Sequence, residues 1–218
     1  MGPIFKDRME AGRKMAGALQ RFEDRNPIVL GMARGGVVLA AAIAEELHAP
    51  LDVLVVRKIG APGNPEFGVG AVAPQGISVF DDYAMKSLYL RPADLQRSVN
   101  QELAEVERRL DLYRSGQAPL DLKGHTAILV DDGLATGITA VAAARYARHL
   151  GASYTVFAAP VCSRPGSVLL DPEVDEVLCL ETPAMFYAVG MWYEDFSQVE
   201  DEQVLQILAM ARTKGYAA

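Results

Sequence analysis

"AILVDDGLATGIT", residues 127–139, is the stretch whose reading decides the fold. Four aliphatic residues make a short buried strand and run into two adjacent acids, Asp131 and Asp132. The carboxyl end of such a strand is the edge where open α/β sheets bind ligands. The loop Ala135-Thr136-Gly137-Ile138-Thr139 then leads into the helical pattern "AVAAARYARHLGA". Its backbone N–H groups are therefore the unpaired ones at a helix N-terminus, where the macrodipole is positive. Gly137 permits close approach and the two threonines add hydroxyls, so the loop is a phosphate cradle in physical terms. The Gly-Lys-Ser/Thr ending of a nucleotide-triphosphate loop is missing, which argues against ordinary ATPase chemistry. Two acids repel a phosphate unless a neutral group lies between them. A sugar 5-phosphate fits: its phosphate reaches the loop and its vicinal hydroxyls donate to the carboxylates. Side chains alternate along a strand, so the two acids point differently and have unequal roles. The plain alternative is a helix-capping acid on a tight turn that holds no ligand.

Outward from this stretch, the chain alternates between strand and helix patterns. "DRMEAGRKMAGALQRF" carries a helical apolar stripe, and "NPIVLGMARGG" is a buried strand stopped by glycines. "VVLAAAIAEEL" reads as an Ala-rich helix, and "APLDVLVVRKIG" as the next strand. Strand, helix and strand at this spacing predict a βαβ unit and a parallel sheet. Residues 59–82 break the rhythm: "IGAPGNPE" reads as a loop, followed by a hairpin-like excursion around "APQG". That tetrapeptide suits a type I turn with Pro second and Gly fourth. Leu95, Val99, Leu103, Val106, Leu110 and Tyr113 recur at spacings of 4, 4, 3, 4 and 3, which predicts a long amphipathic helix over 92–114. Glu105 and Arg109 form an i,i+4 pair on it. "SYTVFAAPV" and "VDEVLCL" supply two more strands. Beyond Pro183 come Phe186, Tyr187, Trp192, Tyr193 and Phe196, five aromatics within eleven residues, and then a last amphipathic helix.

Composition removes several classes. The net charge of −7 and pI near 5.0 argue against general nucleic-acid or anionic-membrane binding. The longest apolar run, "VVLAAAIA", is far too short to cross a bilayer, and the charged opening "MGPIFKDRMEAGRKM" is no signal peptide. The two cysteines, Cys162 and Cys179, read as buried reduced thiols, which with the missing leader places the protein in the cytoplasm. The three histidines form no metal-ligand pattern.

"ILVDDGLATGIT" resembles, without a gap, the phosphoribosyl pyrophosphate (PRPP) signature of the type I phosphoribosyltransferases. The resemblance implies an α/β fold of that type: a mostly parallel central sheet flanked by helices, with a small hood. It divides the chain into a core over 1–182 and a hood segment with a helix over 183–218. Asp131 and Asp132 would bind the ribose hydroxyls, and Ala135, Thr136, Gly137, Ile138 and Thr139 the 5-phosphate. "GMARGG" is similar to the family's pyrophosphate loop, often with an unusual cis peptide. Arg34 would meet the diphosphate there and Gly35 and Gly36 would give it backbone access. A surface arginine at a strand–helix turn is the alternative. "VVRKIGAPGNPEFG" resembles the segment leading into the family's mobile catalytic loop, with Arg57 and Lys58 supplying positive charge to the leaving group. Here the alternative is a solvated basic pair. The aromatic segment 183–196 would be the hood that stacks a planar acceptor, Trp192 included, with Glu194 and Asp195 in reach of base edges; equally, it covers a core.

The implied reaction moves the 5-phosphoribosyl group from PRPP to a nitrogenous base or amine, with catalytic roles for Asp131, Asp132, Arg34 and Lys58. Mg²⁺ would assist release of pyrophosphate, engaged by Asp131 and Asp132 only indirectly, through ribose hydroxyls or water. The expected partners are small molecules, with no nucleic acid and no membrane, and the expected assembly is a homodimer. One departure is informative: members acting on 6-oxopurines usually carry a third Asp directly before the Thr-Gly, and this chain has Ala135 there. The alternative function is a PRPP-binding regulator without turnover.

Overall fold

A computed structural model describes residues 2–216. Helix α1 (Arg8–Leu19) is capped by Asp7, whose carboxylate accepts from the Glu10 amide at 2.8 Å. Strand β1 (Pro27–Met32), helix α2 (Gly35–Glu46) and strand β2 (Leu51–Leu54) follow. Next come β3 (Arg57–Ala61), β4 (Asn64–Val72), β5 (Ser78–Phe80), the short α3 (Asp82–Ser87) and the long α4 (Gln96–Arg114). The rest of the chain is β6 (Thr126–Val130), α5 (Ile138–His149), β7 (Tyr154–Val161), α6 (Arg164–Leu170), β8 (Glu176–Glu181) and α7 (Asp201–Thr213).

The main sheet has five strands in the order β2-β1-β6-β7-β8, every pair parallel. Its strands are apolar on both faces because helices cover both. Val29, Ile128, Val130, Val156 and Ala158 face one core, shared with α1, α2 and α7. Ile28, Leu30, Leu129, Phe157 and Ala159 face the other, shared with α5. The period of two decides which residue goes where. The chain leaves β1 toward β2 on one side and returns through β6 on the other, so strand order reverses between β1 and β6. The loops after these two strands part there and open a crevice at the carboxyl edge.

Three sequence expectations need correction. "APLDVLVVRKIG" is two strands: β2 ends at Leu54 in the main sheet and β3 begins at Arg57 in a separate antiparallel sheet, β3-β4-β5. All of β2 is buried, and continuing it would have carried Arg57 and Lys58 into an apolar layer. "IGAPGNPE" is no open loop but the turn end of the β3–β4 hairpin, with Gly63 at φ +80° in its turn. At "APQG" the left-handed residues are Gln75 (φ 60°) and Gly76 (φ 77°), with the Ile77 amide donating to the Pro74 carbonyl at 3.4 Å. The central pair is thus one residue later than expected, and its mirror-image backbone suits the twist of the strands it joins.

The cysteines are the fourth correction. Cys162 and Cys179 form a disulfide, their Cα atoms 6.0 Å apart. β7 and β8 are neighbours in register, Ala159 beside Cys179, so the end of β7 comes within bridging distance. Helix α6 between the strands hides that proximity in the sequence. The reasoning from reduced thiols to a reducing compartment therefore falls away. No helix among the described residues is long and apolar enough to cross a membrane.

Candidate active site

A cavity of about 710 Å³ lies at the carboxyl edge between β1 and β6. Asp131, Asp132 and the loop residues Ala135, Thr136, Gly137 and Thr139 form one side of it. Met32 and Ala33 come from the end of β1, Val56 from just before β3, and Arg57, Lys58 and Gly60 from β3 itself. Glu102 and Arg109 reach in from α4, Arg8 from α1, and Val189 and Phe196 from the segment after β8.

The loop's backbone follows from its anchors. Gly137 caps α5 at φ +88°, and a Cβ there would lie 2.8 Å from the Gly166 carbonyl. Both the left-handed angle and the contact call for glycine. The Leu134 amide donates to the Val161 carbonyl, and the Ser163 amide to that of Leu134, at 2.9 and 2.7 Å. The Ser163 hydroxyl donates to the Ala135 carbonyl and accepts from the Gly166 amide. The loop is thus held from behind by β7 and α6, which leaves the start of α5 facing the cavity. Ile138 is the exception among the five loop residues: its side chain is buried in the core beneath α5.

The two acids are held differently. Asp131 Oδ1 accepts from the Asp132 amide at 2.9 Å. Asp132 Oδ2 accepts from Arg8 Nε at 2.8 Å, and the Tyr193 hydroxyl donates to the Asp132 carbonyl at 2.7 Å. Burial pushes the Asp131 carboxyl well above the usual range, Asp132's charge adds to it, and Lys58 and Arg8 oppose it. Asp132 is also raised by burial, with Arg8 holding it down. Burial and then the Asp132 charge keep the Tyr193 phenol protonated.

The expected cations occupy different positions. Lys58 and Arg57 line the cavity, Arg57 paired with Glu102 at 2.8 Å. The Ala33–Arg34 peptide is cis, but the Arg34 side chain turns toward α7, 3.1 Å from Glu200 and 3.6 Å from Asp201. A Cβ on Gly35 would collide with the Asp132 carboxylate, and one on Gly36 with the Val130 carbonyl. These glycines let α2 start hard against the acid loop. Trp192 is buried beside another cavity of about 410 Å³, with Met185 and Tyr187 on its wall. The Glu194 and Asp195 amides donate to the Phe5 and Lys6 carbonyls at 2.8 Å, tying this segment to the chain's start.

Sequence reasoning missed Arg8, Glu102, Arg109 and Ser163. Arg8 is one charge among several in the first turn of an amphipathic helix, and its partner is 124 residues away. Glu102 and Arg109 read as the solvated face of α4. Only Ser163 had a local signal, as a serine directly before Arg-Pro at a helix start.

A parallel sheet with a two-acid strand end, and a glycine-capped loop beside it at the reversal of strand order, defines an open α/β protein with its crevice at the carboxyl edge. The family model for the phosphoribosyl transferase domain matches residues 6–190, and the chain belongs to that family. Two Mycobacterium tuberculosis proteins, provisionally named phosphoribosyl transferases, are 41% identical over 208 residues, which is 95% of this chain and 47% of each of theirs. The chain thus spans about half the length of these curated relatives. An adenine phosphoribosyltransferase from Mycobacterium avium is 31% identical over 157 residues, covering 72% of this chain and 67% of that one. The crystal structure of TT1426 from Thermus thermophilus superposes with a TM-score of 0.80 at 39% identity, covering 98% of this chain and 99% of the other.

Proposed function

We propose that this chain transfers the 5-phosphoribosyl group from PRPP to a nitrogenous base or amine. The observation that carries the reading is the pairing, in one cavity, of Asp131 and Asp132 with the helix-start loop 135–139. The loop amides and threonine hydroxyls receive the 5-phosphate, and the carboxylates accept from the ribose hydroxyls. The diphosphate then lies toward Lys58 and Arg57. As the bond from the anomeric carbon to the diphosphate breaks, positive charge grows on the sugar next to two carboxylates, a preorganised stabilisation. The diphosphate leaves with the bonding pair, the acceptor nitrogen's lone pair forms the new bond, and its proton passes to water or to the released diphosphate. Positioning and electrostatics are the protein's main contribution.

The donor set also fits Mg²⁺. Two raised carboxylates face the cavity, and a dication beside the ligand would relieve their mutual repulsion. The described residues hold no cluster of three or more His, Cys, Asp or Glu, so Mg²⁺ here would rest mainly on ligand oxygens and water. When bound, the ion neutralises charge on the leaving diphosphate.

Ala135 leaves the loop without the acid that 6-oxopurine enzymes carry, and a 31%-identical relative is an adenine phosphoribosyltransferase. Adenine is therefore the first acceptor to try. The test is pyrophosphate release from Mg²⁺-PRPP against a panel of bases and amines, with calorimetry on wild type, Asp131→Asn and Asp132→Asn. Each variant should lose on the order of tenfold or more in PRPP affinity, the scale of one charge-assisted hydrogen bond. Absence of PRPP binding at millimolar concentration would end the proposal. A second reading, a PRPP-binding regulator, draws support from Arg34, which is engaged with α7 away from the cavity. PRPP binding with no turnover on any acceptor would select it.

A further inference from the structure

Arg8 is the one cavity cation that comes from α1, and its side chain is only 11% exposed. Nε donates to Asp132 Oδ2 at 2.8 Å, while a second nitrogen donates to the Ser197 carbonyl, also at 2.8 Å. The guanidinium carbon lies 3.9 Å above the Phe196 ring. One planar group thus joins the first turn of α1, the acid loop after β6 and the segment over the cavity. Gly35 supports the same arrangement from the other side, since any side chain there would push the Asp132 carboxylate away. Each acid then has one oxygen committed, Asp131 Oδ1 to the Asp132 amide and Asp132 Oδ2 to Arg8. Among the described residues no hydrogen bond engages the other oxygen of either.

We propose that Arg8 is a positioning residue of the donor site: by occupying Oδ2 it turns Oδ1 of Asp132 toward the sugar hydroxyl and couples that orientation to Phe196 and Ser197. The proposal rests on the reading of the cavity as a PRPP site. Arg8 contacts no phosphate in this scheme. Its hydrogen bond acts on Asp132, with only a lesser through-space hold on the Asp131 charge, and this separates it from the diphosphate-side cations. A fork-shaped donor suits the task better than lysine, because two of its nitrogens hold two acceptors in fixed directions while the flat face rests on an aromatic ring.

The experiment is a double-mutant cycle of Arg8→Met and Asp132→Asn, with dissociation constants for Mg²⁺-PRPP and for sugarless inorganic pyrophosphate measured by calorimetry. Arg8→Met should weaken PRPP on the order of tenfold in the wild-type background and by a much smaller factor in the Asp132→Asn background. Pyrophosphate affinity should be unchanged by Arg8→Met. Arg8→Lys should lose a few-fold on PRPP, again chiefly while Asp132 is present, and it serves as the test if the methionine variant does not fold. Additive losses, or an equal loss for pyrophosphate, would overturn the role. If wild type binds no PRPP, the functional reading and this proposal fall together; if it binds and the losses add, only this proposal fails.

Discussion

At the scale of single residues, the site is a set of compromises between burial and charge. Asp131 and Asp132 are costly to bury as anions, a cost that the proposed grip on a sugar would explain. Glu105 shows the opposite case. Arg108 and Arg109 at 2.7 Å each hold its carboxyl down at about 2. A depressed acid contributes stability that is present above its unfolded value, here 4.5, and lost as pH falls through about 2. Glu105→Gln should therefore cost about 0.5 kcal/mol at neutral pH, a value already discounted for solvent screening of a surface pair. Urea unfolding at pH 7 and near pH 3 should show the difference between variant and wild type narrowing at the lower pH. A gap that widens on acidification would assign Glu105 no such role.

At the scale of elements, the disulfide is the feature with the widest mechanical reach. It joins the residue after β7 to the edge strand β8, across a separation of 17 residues. Reduction, or Cys179→Ser, should lower the free energy of unfolding by about 2–4 kcal/mol, the usual range for a loop of this size. Cys162 also pairs with Leu134 in a β-bridge, so the loosened end would be the one that backs the loop 135–139. The check is thermal unfolding with and without dithiothreitol, and an unchanged midpoint would show that the bridge contributes nothing. The elements themselves were largely legible in the sequence. β6, α5 and α4 follow from "AILV", the Ala-rich run and the 4-4-3-4-3 stripe, because in each a local period decides burial. The split between β2 and β3 was not legible, since Val53 to Val56 is apolar throughout and only the tertiary layer decides where the sheet stops.

At the scale of the whole molecule, the reversal of strand order between β1 and β6 gathers residues from almost the entire chain into one crevice. Asp131, Asp132 and the loop 135–139 could be read from sequence because they are contiguous and sit at one strand end. Arg8, Glu102 and Arg109 could not, because helices far away in sequence bring them in and their local patterns are those of solvated faces. The same long-range packing decides what the basic residues do before any ligand arrives. Arg57 rests on Glu102, Arg109 on Glu105, and Arg34 on Glu200. On the proposed reading, a phosphorylated sugar approaching a chain of net charge −7 thus meets arginines already matched with carboxylates, and Lys58 is the one cavity cation with no ion pair among the described residues. The kinetic consequence is that capture begins against a repulsive long-range field and finishes by exchange of partners. With Mg²⁺ held constant, the stopped-flow association rate for PRPP should hold steady or rise as salt brings the screening length down to about 10 Å. A steep fall would mean that the arginines are released before the ligand docks; a flat or rising curve would make the resting ion pairs a toll on entry that the final grip repays.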